Sequence, residues 1–233
     1  MQVERKEHHG YYYHVATSGR VILGFTETGF PIELFPQLFP GVGVKSLKQV
    51  HGNTILLSSQ IRPDSQGDGI ILDETDTLAI IKTADCVPLF FWDEAFSTGG
   101  IIHIGWQGLY QAIEKNLIIA LGLKKVSLKS IRFFLGPAIE QRCYEVDQAR
   151  FNSFKEKSYQ NKIFKSSGRG KFQMDIPGGI IHSLGEQGIS KRRASRSNLC
   201  TYCDRAFPSF RRDRQTGQRI YNFILLKNVL TGE

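Results

Sequence analysis

The sequence predicts a mixed α/β domain, and three observations predict it. Short apolar runs bounded by Gly, Asp and Thr recur through the centre of the chain; one long segment switches to a three- and four-residue period; and a final apolar run closes the sequence. Near the start, Tyr11-Tyr-Tyr-His-Val15 and Val21-Ile-Leu-Gly-Phe25 are rich in residues that favour strands, and a turn-rich stretch from Pro31 to Gly43 follows. Gly69-Ile-Ile-Leu72, Leu78-Ala-Ile-Ile-Lys82, Val87-Pro-Leu-Phe-Phe-Trp92 and Gly100-Ile-Ile-His-Ile104 read as buried strands of one sheet. From Trp106 to Leu121 the apolar positions Leu109, Ala112, Ile113, Leu117, Ala120 and Leu121 predict one amphipathic helix ending near Gly122. Ile131-Arg-Phe-Phe-Leu135 is a further strand, stopped by Gly136-Pro137. Residues Phe151 to Tyr159 and Pro177 to Gly188 read as helices, with Pro177 suited to a first helical position. The segment from Lys165 to Lys171 reads as a mobile surface loop, and Ile220 to Leu226 as the closing strand.

With 233 residues, 41% hydrophobic and 22% charged, the chain can build one core. No stretch reads as a linker, so one domain over residues 1–233 is expected. No apolar run approaches the roughly 18 residues of a membrane span, and the start, Met1-Gln-Val-Glu-Arg-Lys-Glu-His-His9, has no apolar signal region. A cytoplasmic soluble protein is the expectation. In that compartment Cys86, Cys143, Cys200 and Cys203 read as buried thiols or metal ligands, not as a disulfide framework.

The net charge of +8 is uneven: residues 186–219 carry nine Lys/Arg against three Asp/Glu. That basic stretch admits a nucleic acid, an anionic small molecule or a solvated face. Tyr202, Phe207 and Phe210 lie nearby, but no RNA-binding signature accompanies them, so nucleic acid is the least favoured of the three.

Three residues stand out chemically: His51 in Gln49-Val-His-Gly52, Cys86 in Thr83-Ala-Asp-Cys-Val-Pro88, and His103 in Ile102-His-Ile-Gly-Trp106. On a period-two reading His103 shares a strand face with Ile101 and Gly105, opposite Ile102 and Ile104. Gly105 leaves room for close approach to the imidazole. Two imidazoles and a thiolate can hold zinc with a fourth position open, although their spacing matches no short metal motif. The same residues also admit a Cys86–His103 nucleophile and base with Asp85 nearby. Cys200-Thr-Tyr-Cys203 is a C-x-x-C pair. A structural zinc there wants two more ligands, and Cys143 and His182 lie far along the chain.

Those blocks, together with Gly67-Asp-Gly-Ile70, Gly136-Pro-Ala-Ile139, Tyr144-Glu-Val146, Cys200-Thr201 and Phe210-Arg-Arg-Asp213, follow one another from about residue 45 to residue 219. In this order the chain resembles the YfiH/YlmD family, formerly called multicopper polyphenol oxidases or laccase-domain proteins and now regarded as purine nucleoside phosphorylases. The resemblance implies a YfiH-like α/β sandwich with one zinc ion in a surface cleft, held by His51, Cys86 and His103. It implies that adenosine, inosine, guanosine and methylthioadenosine react with phosphate to give free base and ribose 1-phosphate. Adenosine deamination is implied as a second activity, and some members are linked instead to editing of peptidoglycan precursors.

On this reading the catalytic candidates are Cys86, His103 and Asp85, the last as proton acceptor or as partner to a ligand. Arg211 and Arg212 are the candidate phosphate ligands, because guanidinium matches phosphate geometry. Gln107 stands where the family usually has Arg or Lys, and Ala138 where it commonly has Cys. A true multicopper centre needs His–x–His pairs, and the six histidines contain none, so no such centre is expected. Two alternatives stay open. One is a cysteine hydrolase, such as an amidase editing peptidoglycan precursors, with Cys86 as nucleophile and His103 as base. The other is a nucleic-acid-binding module built on residues 186–219.

Overall fold

Continuous apolar runs in the central strands demand cover on both faces, and the computed structural model, which describes residues 2–214 and 217–228, supplies it in layers. The first sheet contains β1 (Glu4–His8), β2 (Tyr11–Ser18), β3 (Val21–Thr26), β4 (Gly43–Ser46), β7 (Thr77–Thr83) and β15 (Ile220–Leu226). Its strand order is β1-β2-β3-β15-β7-β4. The second contains β5 (Ile55–Leu57), β6 (Gly69–Leu72), β8 (Val87–Asp93), β9 (Gly99–Ile104), β10 (Ile131–Leu135) and β14 (Ala194–Arg196). Its order is β14-β10-β8-β9-β6-β5. A small third sheet joins β11 (Glu145–Asp147), β12 (Phe164–Gly168) and β13 (Lys171–Met174) in the order β11-β13-β12.

Period-two alternation sorts the side chains among three cores. Leu23, Phe25, Ile81 and Ile224 from the first sheet meet Ile70, Phe90, Trp92 and Ile101 from the second. The other faces of β7 and β15, with Leu78, Ile80 and Phe223, are covered by Phe30 and by Phe35 of the short helix α1 (Phe35–Leu38). The other face of the second sheet, with Val87, Leu89, Phe91, Ile102 and Ile104, is covered by helices. These are α2 (Trp106–Tyr110), α3 (Ile113–Leu123), α4 (Gln148–Ser153), α5 (Gln160–Ile163) and α6 (Ile176–Glu186). A last helical turn, α7 (Phe210–Asp213), precedes β15. Among the described residues no helix is long and apolar enough to cross a membrane.

The structure corrects four expectations. The four central apolar runs do not share one sheet: β7 pairs with β15 and β4, whereas β6, β8 and β9 lie in the second sheet. A continuous apolar run shows that both faces are buried but not which sheet owns the strand. The predicted helix over 106–121 is two helices, broken where Ala112 takes a left-handed conformation (φ +58°). The helix expected from Phe151 starts earlier, at Gln148, where the Asp147 carboxylate caps it by accepting from the Arg150 N–H at 2.8 Å. It stops at Ser153, and α5 follows separately. Residues 165–171 belong largely to the β12–β13 hairpin.

A His–Cys–His cluster at the mouth of the sandwich

His51 sits on the segment between β4 and β5, and two side chains fold that segment. The Gln49 amide donates to the Lys82 carbonyl and accepts from the Lys82 N–H, both at 2.8 Å, which docks the segment on β7. The Asp68 carboxylate accepts from the backbone N–H groups of Val50 (3.2 Å), His51 (3.0 Å) and Gly52 (2.8 Å). These bonds hold His51 at φ +58°, outside the range its type usually adopts. Cys86 comes from the turn that carries the chain from β7 to β8, and His103 from the last turnward residue but one of β9. The ligand atoms of His51, Cys86 and His103 all lie within 4.8 Å of one another. The two imidazole rings stand edge to face with centroids 4.7 Å apart.

Gly105 makes this convergence possible. A Cβ there would come within 2.9 Å of the Cys86 Sγ and 3.4 Å of the His51 Cδ2. The expected space beside His103 is thus filled by the other two members of the cluster.

Asp68 is the residue that the sequence-based candidate set lacked. Fully buried, it also bonds the His103 Nδ1 at 2.8 Å through the same oxygen that accepts from His51. With Nδ1 donating, Nε2 is left as the lone-pair donor for a metal, the arrangement in which a carboxylate orients a ligating imidazole. The signal was an acidic residue between two glycines at the start of a buried strand, Gly67-Asp-Gly69, where a buried carboxylate must find donors. Burial pushes the Asp68 carboxyl up, but His103 and the N–H groups of Gly52 and Val50 outweigh it and hold it below the usual carboxylate range.

The same balance acts on the sulfur. Burial pushes the Cys86 thiol up, yet His103 and His51 beside it bring it down to about 6. Burial favours a neutral His103, yet the Cys86 sulfur and Asp68 raise it to about 9. Two imidazoles and a thiol that ionises readily, converging through a glycine and braced by a carboxylate, fit a borderline-soft divalent cation such as zinc.

The cluster opens on a cavity of about 650 Å³ whose lining includes Lys48, Lys82, Trp106, Tyr144, Phe210 and Arg211. Gln107 lines it too. Asp85, at φ +91°, lies in the wall with both carboxylate oxygens engaged: one accepts from the Thr201 hydroxyl at 2.6 Å, the other from the Arg211 N–H at 2.7 Å. Arg211 lies over the Tyr144 ring, 4.9 Å from its centroid, and donates to the Glu145 carbonyl at 2.8 Å. The structure does not bring Arg212 into the lining. Its guanidinium pairs with Asp213 and donates to the carbonyls of Thr201 (2.8 Å), Tyr202 (3.0 Å) and Phe207 (2.7 Å), bracing the 201–207 loop. In the basic stretch Arg193 pairs with Glu94 at 3.0 Å and Arg196 with Glu140 at 2.9 Å, so part of its charge is neutralised locally. Cys143, remote in sequence from Cys200 and Cys203, lies beside them in space.

Comparison with known proteins accords with this fold. A family model described as multi-copper polyphenol oxidoreductase laccase matches residues 38–227. A purine nucleoside phosphorylase of Clostridium acetobutylicum is 28% identical over 186 residues, covering 78% of this chain and 76% of the relative. The purine nucleoside phosphorylase YlmD of Bacillus subtilis is 30% identical over 165 residues, covering 70% and 59%. YfiH of Shigella flexneri, also named a purine nucleoside phosphorylase, is 28% identical over 182 residues, covering 77% and 72%. Among solved structures, protein NMB0706 of Neisseria meningitidis superposes with a TM-score of 0.82 at 25% identity, over 93% of this chain and 99% of that one. Bacillus licheniformis YfiH gives 0.80 at 24% identity, over 89% and 93%, a likeness of fold. With the fold, the motif order and the family model in agreement, the chain belongs to the YfiH/YlmD family, whose model bears the multi-copper polyphenol oxidoreductase laccase description.

Proposed function

We propose that this protein is a zinc-dependent purine nucleoside phosphorylase, with adenosine deamination as a second activity of the same cleft. The observation that carries the reading is the His51–Cys86–His103 cluster, set by Asp68 at the wall of a cavity that combines cations with aromatic faces. Its volume, about 650 Å³, lies in the range of small-molecule sites. The names of the relatives support the same reaction class.

In phosphorolysis a phosphate oxygen bonds to the ribose C1′ as the C1′–N9 bond breaks. The electron pair stays on the purine, which takes up a proton. The chain's own groups fit these demands. Lys48, Lys82 and Arg211 offer positive charge for a phosphate, and the exposed Phe210 offers an apolar face for a purine, beside Trp106 and Tyr144, each of which carries an arginine over its ring. Asp85 serves as a positioning residue, because its carboxylate fixes the Thr201 hydroxyl and the Arg211 backbone. Acting as proton acceptor would require it to give up one of those bonds. Zinc held by His51, Cys86 and His103 would supply Lewis acidity toward an oxygen ligand. The six histidines, with His8 and His14 out on β1 and β2, argue against oxidase chemistry of the multicopper kind.

One observation favours a second reading. A thiol at about 6 beside an imidazole at about 9 is also what a cysteine nucleophile and its base require. His51 weighs against it, since a nucleophilic pair has no use for a second imidazole. Incubation with inosine, with and without phosphate, separates the two. Phosphate-dependent hypoxanthine release that disappears in His51→Ala, together with its bound zinc, supports the phosphorylase. No phosphate-dependent release from inosine by the zinc-loaded protein, together with amide hydrolysis of a peptidoglycan precursor that survives chelation and stops on alkylation of Cys86, supports the hydrolase.

A further inference from the structure

Cys143, Cys200 and Cys203 form a second thiol cluster that phosphorolysis leaves without a role. Their sulfurs lie within 4.8 Å of one another, those of Cys143 and Cys203 are 3.3 Å apart, and all three are free thiols. The backbone holds them together. Cys200 bridges Ala138 in parallel, with the Thr201 N–H on the Ala138 carbonyl (3.1 Å) and the Ala138 N–H on the Leu199 carbonyl (3.2 Å). Cys143 ends the helical turn Gln141–Cys143 a few residues further along the same segment. The Asp204 N–H closes the turn back onto the Cys200 carbonyl at 2.9 Å.

Zinc–thiolate bonds of about 2.3 Å at tetrahedral angles place sulfurs roughly 3.8 Å apart, so the observed spacings need only small rotamer shifts to match. Thiols are weak hydrogen-bonding partners, so mutual S–H contacts give little reason for three of them to gather. A divalent cation with three thiolates carries a net negative charge, and the Arg142 guanidinium lies 3.8 Å from the Cys203 sulfur to offset it. Burial is graded from Cys200, which is buried, to Cys203, which is exposed, so a fourth position faces solvent.

We propose that Cys143, Cys200 and Cys203 bind a second zinc ion, separate from the His51–Cys86–His103 cluster, with a water from the solvent side as fourth ligand. Of the two further ligands wanted, the structure brings Cys143 and not His182 to the Cys200–Cys203 pair, which leaves the fourth position to water. Cys143 precedes Tyr144 of the cavity wall, and Cys200 precedes Thr201, whose hydroxyl donates to Asp85. One ion thus reinforces, beyond the Ala138–Cys200 bridge, the junction of two wall segments that continue from the paired strands β10 and β14. The inference stands apart from the phosphorylase reading, because it is tested by counting metal.

The experiment loads the reduced, full-length protein with zinc chloride, removes excess metal on a desalting column and measures zinc by elemental analysis. Wild type is expected to hold about two zinc ions per chain, and Cys203→Ser and Cys143→Ser about one each. His51→Ala is expected to hold about one, and His51→Ala with Cys203→Ser close to none. Cobalt(II) in place of zinc provides a second readout. Thiolate charge-transfer absorption is expected to fall by more than half in Cys203→Ser, because three of the four thiolate bonds belong to this site. Cys203 is exposed, so its replacement leaves packing intact. Wild type saturating at one zinc that Cys203→Ser retains and His51→Ala loses would overturn the proposal. Zinc uptake unchanged after Cys143 and Cys203 are found joined as a disulfide would overturn it equally.

Discussion

Asp68 accepts four hydrogen bonds through two oxygens, three from the backbone of the His51 segment and one from the His103 ring. Asp68→Asn keeps the shape but turns one oxygen into a donor facing N–H groups, so both imidazoles lose their orientation. Zinc affinity is expected to fall about 10- to 100-fold, measured by competition with a chromophoric chelator. Unchanged affinity would show that the imidazoles stay aimed without the carboxylate. Gly105 is the steric counterpart. In Gly105→Ala the new methyl meets the Cys86 sulfur at 2.9 Å with neighbouring backbone held in β9 and α2, so the thiol must leave its place. A cost of about 1–3 kcal/mol in urea unfolding is expected, with loss of bound zinc by elemental analysis. Retained stoichiometric zinc would show that the turn bearing Cys86 yields without penalty.

Helices α2 and α3 show what an element owes to its neighbours. The apolar spacing was visible in sequence, and Leu109, Ile113, Leu117 and Leu121 are indeed buried. The break at Ala112 was not visible, because its reason lies on another segment: around it Gln111 and Asn116 bond the His51 and Asn53 carbonyls (3.4 and 3.0 Å) and Asn53 bonds back to Gln111 (3.3 Å). Glu114, in the first turn of α3, is fully buried against α6, where the Ser183 hydroxyl donates to it. Burial pushes its carboxyl above the ordinary value. A raised carboxyl contributes stability that is complete below its unfolded value and is lost as pH rises through the folded one. Wild type should therefore lose stability across that window, by at most about 1.4 kcal/mol per pH unit from this group, and Glu114→Gln should flatten the slope. Urea midpoints at pH 5 and pH 8 measure it, and parallel slopes in the two proteins would refute it.

At the scale of the molecule, Glu27 fastens the outer strands to the sandwich. Its carboxylate takes two bonds from Arg5 of β1 (2.6 and 2.9 Å) and one from His14 of β2 (2.9 Å). Arg5 foremost, with His14, holds Glu27 below the usual carboxylate range against the effect of burial. Such a group contributes stability above its unfolded value that is lost as pH falls through the lower folded one. Glu27→Gln is expected to lower the thermal midpoint at pH 7 and to lower it by less at pH 3, nearer the folded value. Equal losses at both pH values would mean that the hydrogen bonds matter and the charge does not.

The sequence by itself located β2, β3, the buried strands β6 to β10 and β15, since a short apolar run is a local property, and it isolated His51, Cys86 and His103 before any geometry was known, but it read the exposed β12–β13 hairpin as a loop. Sheet membership was decided only by the tertiary structure, because a strand buried on both faces carries the same pattern in either sheet. The same holds for Asp68, Arg212 and the thiols. Asp68 is one acidic residue among 22 Asp and Glu until its four donors surround it. Arg211 and Arg212 are adjacent and chemically alike, yet one lines the cavity and the other braces a loop. Cys143 becomes a neighbour of Cys200 and Cys203 only through a backbone bridge between segments far apart in sequence. Local patterns record what a residue needs from its surroundings, and only the folded chain says which distant residue supplies it.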